Sequence, residues 1–313
     1  MKRCYEEGHS LWRDARRRLA RNRAAMGSLL LLLLVAGACF LLPLSPWVAN
    51  PNEANLDNIA AACSWEHPFG TDQLGRDLLA RVLYGGRISL LVGLVATLVA
   101  TLVGLVYGLI SGYAGGRTDA LMMRTVDVLF ALPFIVLVVV FSLSIEEPSR
   151  ELTEYLVAAT GWSRESVAPL TGLLPLFVAI GALGWLTLAR MVRTQTLELK
   201  GQEFVLAARS LGLSHAAILF RHIAPNLLGT VVVYTTLAVP GMMLTESTLS
   251  FIGLGVRPPN SSWGTLIKEG ADRMEVSPEL LIFPALFFCI TLLALNFLGD
   301  GLRDAIDPRS AKD

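Results

Sequence analysis

The residues best suited to chemistry are few and scattered. Each of the four lysines, Lys2, Lys200, Lys268 and Lys312, follows a residue other than glycine, so no GxxxxGK[ST] phosphate-binding loop can be drawn in the chain. The chain is therefore not expected to hydrolyse ATP by itself. His9, His67, His215 and His222 form no pair inside an apolar run, and the last two share a helix face only if the helix between them is unbroken; local bonding or solvation explains them better than metal ligation. Cys4, Cys39, Cys63 and Cys289 are too dispersed for a disulfide framework or a paired-cysteine metal site. Gly70, Asp72, Gly75, Arg76 and Asp77 could touch a solute, but a glycine turn whose charges pair locally is the simpler reading. No paired carboxylates and no nucleophile with its base can be assembled, so an enzyme is a poor reading.

What remains is a surface. The polar bridge Leu199 to Pro225 lies between two long apolar runs. Phe204, Ala207, Ala208 and Leu211 fall at i, i+3, i+4 and i+7, so a short helix from Glu203 to Leu211 would carry an apolar stripe opposite Glu203, Arg209 and Ser210. That stripe needs a partner. Gly212 stands where a helix ends in the left-handed conformation, and Ser214 can cap a second helix that is expected to end near Pro225.

The elements that would hold this bridge are membrane spans. The chain is 53% hydrophobic and only 17% charged, with zero net charge and a mean hydropathy of +0.56. This composition describes an all-α integral membrane protein and offers nothing to nucleic acid. A first apolar run covers about 29–49, too long and too uncleavable for a secretory signal. Five more cover about 88–112, 126–145, 170–190, 229–250 and 279–299, each about long enough to cross a ~30 Å hydrocarbon layer. Six spans place both termini on one side. With the N-terminus inside, eighteen of the twenty-six basic residues fall on inner segments, which supports N-in and C-in.

The expected map is a basic cytoplasmic segment 1–28, a first span 29–49, an extracytoplasmic loop 50–87, a core 88–300 with spans two to six, and a cytoplasmic tail 301–313. The bridge, as loop 191–228, is then cytoplasmic. Arg13, Arg16, Arg17, Arg18, Arg21 and Arg23 would lie along an anionic lipid surface. Charge is sparse in the spans, with Asp127 and Glu246 placed near their ends, which argues against an ion-driven carrier. Gly104, Gly108 and Gly112 line one helix face and are expected to allow close helix packing.

Two more stretches complete the pattern. HPFGTDQLGRDLLARVLYGGRISL, from His67, leads into the second span; ESTLSFIGLGVRPPNSSWGTLI, from Glu246, forms a rigid loop in which Pro258, Pro259 and three glycines exclude a helix and Phe251 and Trp263 are available for burial. The chain closes with NFLGDGLRDAIDPR. Together with AARSLGLS and RHIAPN, these stretches resemble the dipeptide/oligopeptide/nickel permease family of ATP-binding-cassette (ABC) importers, specifically the C-type, second permease subunit. The resemblance covers about residues 65 to 310. Ala207, Ala208, Gly212 and Pro225 match the "EAA" loop of such permeases, although Leu206 stands where an acid is usual, and His222 and Ala224 replace an isoleucine and a leucine.

The resemblance implies a type I importer architecture. It implies a B-type permease partner, two ABC ATPase subunits that bind ATP and magnesium, and an extracytoplasmic solute-binding protein. Glu203, Phe204, Ala207, Ala208, Arg209, Leu211, Gly212 and Pro225 would form the ATPase-coupling element; Phe251, Gly253, Gly255, Pro258, Pro259 and Trp263 would face the binding protein. No cofactor or metal is implied in this chain. The cargo would be a dipeptide or oligopeptide, with nickel chelates, opines or other small solutes as the alternative on the same scaffold. A scaffold subunit without a pathway and a lone carrier are the competing classes. The acidic segment 146–169, with Glu146, Glu147, Glu151, Glu154 and Glu165, fits none of these roles.

Overall fold

The computed structural model describes residues 11–306, so Lys2, Cys4, His9, Arg309 and Lys312 lie outside it. Every long element is a helix. α1 (Leu11–Arg21) meets α2 (Arg23–Leu41) at Asn22, whose side chain accepts from the Ala25 N–H at 3.1 Å. α3 (Leu78–Ala114) begins ten residues before its apolar run because Asp77 caps it, accepting from the Ala80 N–H at 2.7 Å. α4 (Gly116–Ala131) and α5 (Phe134–Thr160) follow, then α6 (Arg164–Thr171) and α7 (Leu174–Lys200). α8 (Glu203–Ser210) and α9 (His215–Ile218) make up the bridge; α10 (Ala224–Phe251), α11 (Trp263–Ala271) and α12 (Glu279–Ile306) complete the chain.

Among the described residues five helical rods are long and apolar enough to cross a membrane: Arg23–Leu44, Leu78–Ala114, Arg164–Lys200, His215–Phe251 and Glu279–Ile306. The chain is an all-α, multi-span membrane protein. A sixth span exists if α4 and α5, bent by 97°, are counted as one. The straight helix expected over 126–145 is therefore broken. Pro133 lacks the N–H that would continue the ladder and forces Leu132 into extended backbone, with φ −87° and ψ 145°.

α3 and α7 form the central pair, and their glycines explain the close contact. A Cβ on Gly104, Gly108 or Gly112 would come within 2.9, 2.7 and 2.7 Å of the side chains of Leu188, Val192 and Thr196. The small-residue row thus packs as the sequence predicts. Both partners advance by four together, so α3 and α7 are parallel. α4 instead turns back along α3, with Asp119 held by Ser111 at 2.6 Å and the Tyr107 hydroxyl donating to the Met122 carbonyl at 2.9 Å.

Three apolar clusters surround this pair. One centres on Val92, Ala96, Ile180 and Ala189; a second joins α2, α3, α10, α11 and α12 around Val82, Met243 and Trp263; a third joins α7 to the bridge through Val192, Val205, Ile218 and Ile223. Cys39, Cys63 and Cys289 are all unbridged.

Candidate coupling and outer sites

The bridge has one face held by the chain and one left open. Val205 and Ala208 are buried against Ile218 and Ile223, so α8 is fixed on α9 and the turn that follows. Of the predicted stripe only Ala208 is used this way. Phe204, Ala207 and Leu211 face outward, with Leu211 80% exposed, and Leu206 is exposed beside them. Glu203 and Arg209 are also at the surface. Gly212 closes α8 at φ +78°, with Leu213 N–H donating to Ala208 O at 3.2 Å and Gly212 N–H to Arg209 O at 3.0 Å. This is the paired bonding of a Schellman end, in which the left-handed residue is glycine because a Cβ would be strained. Ser214 caps α9, accepting from the Ala217 N–H at 3.2 Å.

Pro225 does not end a helix. α9 passes through a π turn (Leu219–Ile223) straight into α10, whose first turn contains the proline. The widened turn falls just before the residue that cannot donate a backbone hydrogen bond, where an α ladder would otherwise fail. His222 and His215 therefore do not share a plain α face.

Sequence reasoning missed the residues that fasten this bridge to the helices. Lys200 Nζ donates to the Tyr113 carbonyl at 2.6 Å, and the Tyr113 hydroxyl meets His215 Nδ1 at 2.9 Å. About two turns earlier on α7, Arg193 grips Asp119 through two bonds of 2.6 Å. The end of α7, the start of α9 and the α3–α4 turn are thereby one unit. The only sequence signal was a pair of opposite charges close to apolar runs.

On the opposite side the chain closes on itself. Glu246 lies near the end of α10, as expected, but is fully buried, accepting from Ser250 Oγ at 2.7 Å and Ser89 Oγ at 3.2 Å. Ser89 also accepts the Trp263 N–H at 3.1 Å, and Trp263 Nε1 donates to Val82 O at 2.9 Å. Trp263 is completely buried, which removes it from any outward face; it anchors the loop instead. Phe251, Gly253, Pro258 and Pro259 remain exposed and Gly255 is half-buried against Ser250. The Pro258–Pro259 bond is cis.

The charged turn behaves as a locally paired one. Asp72 accepts from the backbone N–H groups of Leu74 and Arg76, from Arg76 Nε at 2.7 Å and from the buried Arg81 at 2.8 Å. Arg81 continues to Glu269 of α11. His67 Nδ1 lies 2.9 Å from Asp77, the cap of α3. The acidic segment acquires a role too: Glu146 pairs with Arg257 of the loop between α10 and α11, and Asn260 Nδ2 donates to Pro169 O at 2.8 Å. No cluster of His, Cys, Asp or Glu with metal-ligand spacing occurs among the described residues.

A bundle of long apolar helices with a half-open helical bridge between two of them defines a multi-pass membrane protein. Residues 104–312 match the model for the binding-protein-dependent transport system inner membrane component, and the chain belongs to that family. Residues 10–62 match the N-terminal TM domain of oligopeptide transport permease C. The oligopeptide transport system permease protein OppC of Escherichia coli K12 is 50% identical over 304 residues, covering 97% of this chain and 93% of that protein. OppC of Haemophilus influenzae is 46% identical over 307 residues, 97% and 90% of the two chains. The dipeptide transport system permease protein DppC of Bacillus subtilis is 38% identical over 302 residues, 96% and 86% of the two. Within the family the chain thus stands among the C-type permeases, as a multi-pass protein of the bacterial inner membrane.

Proposed function

We propose that the chain is the C-type transmembrane permease subunit of an ATP-driven ABC importer of peptides. It forms the translocation pathway with a B-type permease, is driven by two ATPase subunits that carry ATP and magnesium, and accepts cargo from an extracytoplasmic binding protein. Full-length likeness to permeases named for oligopeptides and dipeptides favours peptides over nickel chelates or opines. Hydrolysis belongs to the ATPase subunits, since this chain has no phosphate-binding loop.

The reading includes six spans with both termini inside. Its support is the parallel course of α3 and α7: a chain that enters two helices in the same direction has to recross between them, and the bent α4–α5 pair is the segment available for it. The cytoplasmic side is then the side of the bridge.

One observation carries the coupling role. The bridge is fastened to α3 and α7 through Lys200, Tyr113 and His215, yet it leaves Phe204, Ala207 and Leu211 uncovered. A rigid lever with an open apolar face suits a separate motor whose closure moves the lever and shifts the permease between inward- and outward-open packings. Phe251, Gly253, Gly255, Pro258 and Pro259 form the face toward the binding protein. Purification of the tagged chain in mild detergent is expected to recover a second permease and the ATPases; recovery without any ATPase overturns the proposal. Gly212→Val and Ala207→Glu are expected to stop uptake while the chain stays in the membrane, and normal uptake by both would remove the coupling role.

A further inference from the structure

The elbow between α4 and α5 opens a cavity of about 390 Å³ against α7 and α10. Its walls are Phe130, Phe134 and Met242, interrupted by the hydroxyls of Thr187, Tyr234 and Thr245. At one lip Arg190 pairs with Asp127 at 2.6 Å and lies over the Phe130 ring, 4.1 Å from its centroid.

This ion pair is out of place for a surface facing lipid. Arg190 sits ten residues before Lys200, about 15 Å up α7, within a candidate span. Yet its side chain is 46% exposed and that of Asp127 is 58% exposed. Ionisable side chains at such depth face a water-filled space or a protein partner, because hydrocarbon solvates neither charge. Two other charges near these helices are covered: Glu246 is enclosed by serines, and Asp119, in the first turn of α4, is held by Arg193 and Ser111.

We infer that this cavity, with Asp127 and Arg190 at its lip, is a wall of the translocation pathway that contacts the peptide in transit. The inference rests on the importer reading above and specifies where in this chain the cargo passes. The chemistry fits a zwitterionic peptide of mixed sequence. A carboxylate and a guanidinium side by side can exchange their mutual bond for the ammonium and carboxylate of the peptide. The hydroxyls serve its amide groups, and aromatic and thioether walls accept unlike side chains without selecting one. The 97° elbow at Pro133 would let α5 swing relative to α4 and change the width of the cavity.

The test uses the complete importer in proteoliposomes, with the four native cysteines replaced and trialanine as probe. Thr187→Cys and Thr245→Cys are each expected to react with a charged, membrane-impermeant thiol reagent at least tenfold faster than Leu33→Cys on α2, and at a rate that changes when ATP is trapped. Rates within twofold of Leu33→Cys in every nucleotide state, or permanent cross-linking of both cysteines to the second permease, would overturn the assignment. In the same vesicles Arg190→Gln and Asp127→Asn should lower trialanine uptake about tenfold while ATPase stimulation by the loaded binding protein stays within twofold of wild type. Unchanged uptake by both variants also overturns it. Failure of the wild-type complex to move trialanine would instead strike the peptide reading, and the labelling rates would still decide whether the cavity is a water-lined path.

Discussion

The two ends of the helix bundle handle their polar and apolar groups in opposite ways. At the end that holds Trp263 the tightly bonded parts are self-contained: Glu246 is enclosed by serines, Trp263 is fully buried, and Arg81 ties the 67–81 turn to α11. At the bridge end the charges are equally well paired, through Asp119–Arg193 and Lys200–Tyr113, but large apolar side chains are left uncovered. The first arrangement buries its anchors within one chain and leaves most of loop 251–259 exposed above them; the second ends in an uncovered apolar helix face. Substitutions should therefore reveal themselves differently: as lost stability at the Trp263 end, and as lost association at the bridge.

The largest effect is expected at Trp263. Trp263→Ala empties a fully buried site and deletes the bond to Val82 O, at a cost of about 3–5 kcal/mol. A chain that no longer survives detergent extraction, read by size exclusion and thermal unfolding, is the expected result. Equal stability to wild type would break the contrast. Arg81→Ala comes next, because it leaves Asp72 and Glu269 without their shared, nearly buried cation; about 2–4 kcal/mol is expected, below the full cost of breaking a buried pair since Glu269 is partly exposed. Thermal unfolding of Arg81→Ala against Arg81→Ala with Glu269→Ala checks it, and the double variant should recover part of the loss.

The helix-forming runs, the glycine row on α3 and the Gly212 end of α8 were legible because each depends on local chemistry: apolar length, absence of a Cβ, or a left-handed backbone. The broken third span was readable in principle from Pro133, but an apolar run hides a kink when hydropathy alone is summed. The fate of Pro225 was not readable. A proline after a polar turn ends a helix or begins one, and only the π turn at 219–223 decides between them. Trp263 was legible as a residue available for burial but not as one lost to the outward face, and the burial of Glu246 was not legible: both bond to Ser89, 174 and 157 residues away, and no local pattern reports that. The Asp127–Arg190 lip likewise needs the fold, since its two members are 63 residues apart.

Gly212 gives an intermediate case that separates geometry from size. No neighbour lies within 4 Å of where a Cβ would stand, so crowding does not decide the position; φ +78° does. Gly212→Ala should cost about 1–2 kcal/mol in the bridge, and Gly212→Asn less, because asparagine tolerates the left-handed region. Proteolysis rates at the bridge in the purified chain would rank the three.

Leu211 is the sharpest test, for its effect on folding should be the smallest. At 80% exposure it contributes little to the chain alone, so Leu211→Gln should shift stability by no more than about 0.5 kcal/mol. In the complex, however, an apolar side chain that the permease leaves uncovered is expected to be desolvated against the ATPase, and a buried glutamine without partners there would be penalised. The expected outcome is normal yield and unfolding of the isolated chain together with several-fold weaker retention of the ATPase during purification. Equal retention would mean that α8 meets its motor through Phe204 and Ala207 alone, and would narrow the open face to the side of the helix next to α7.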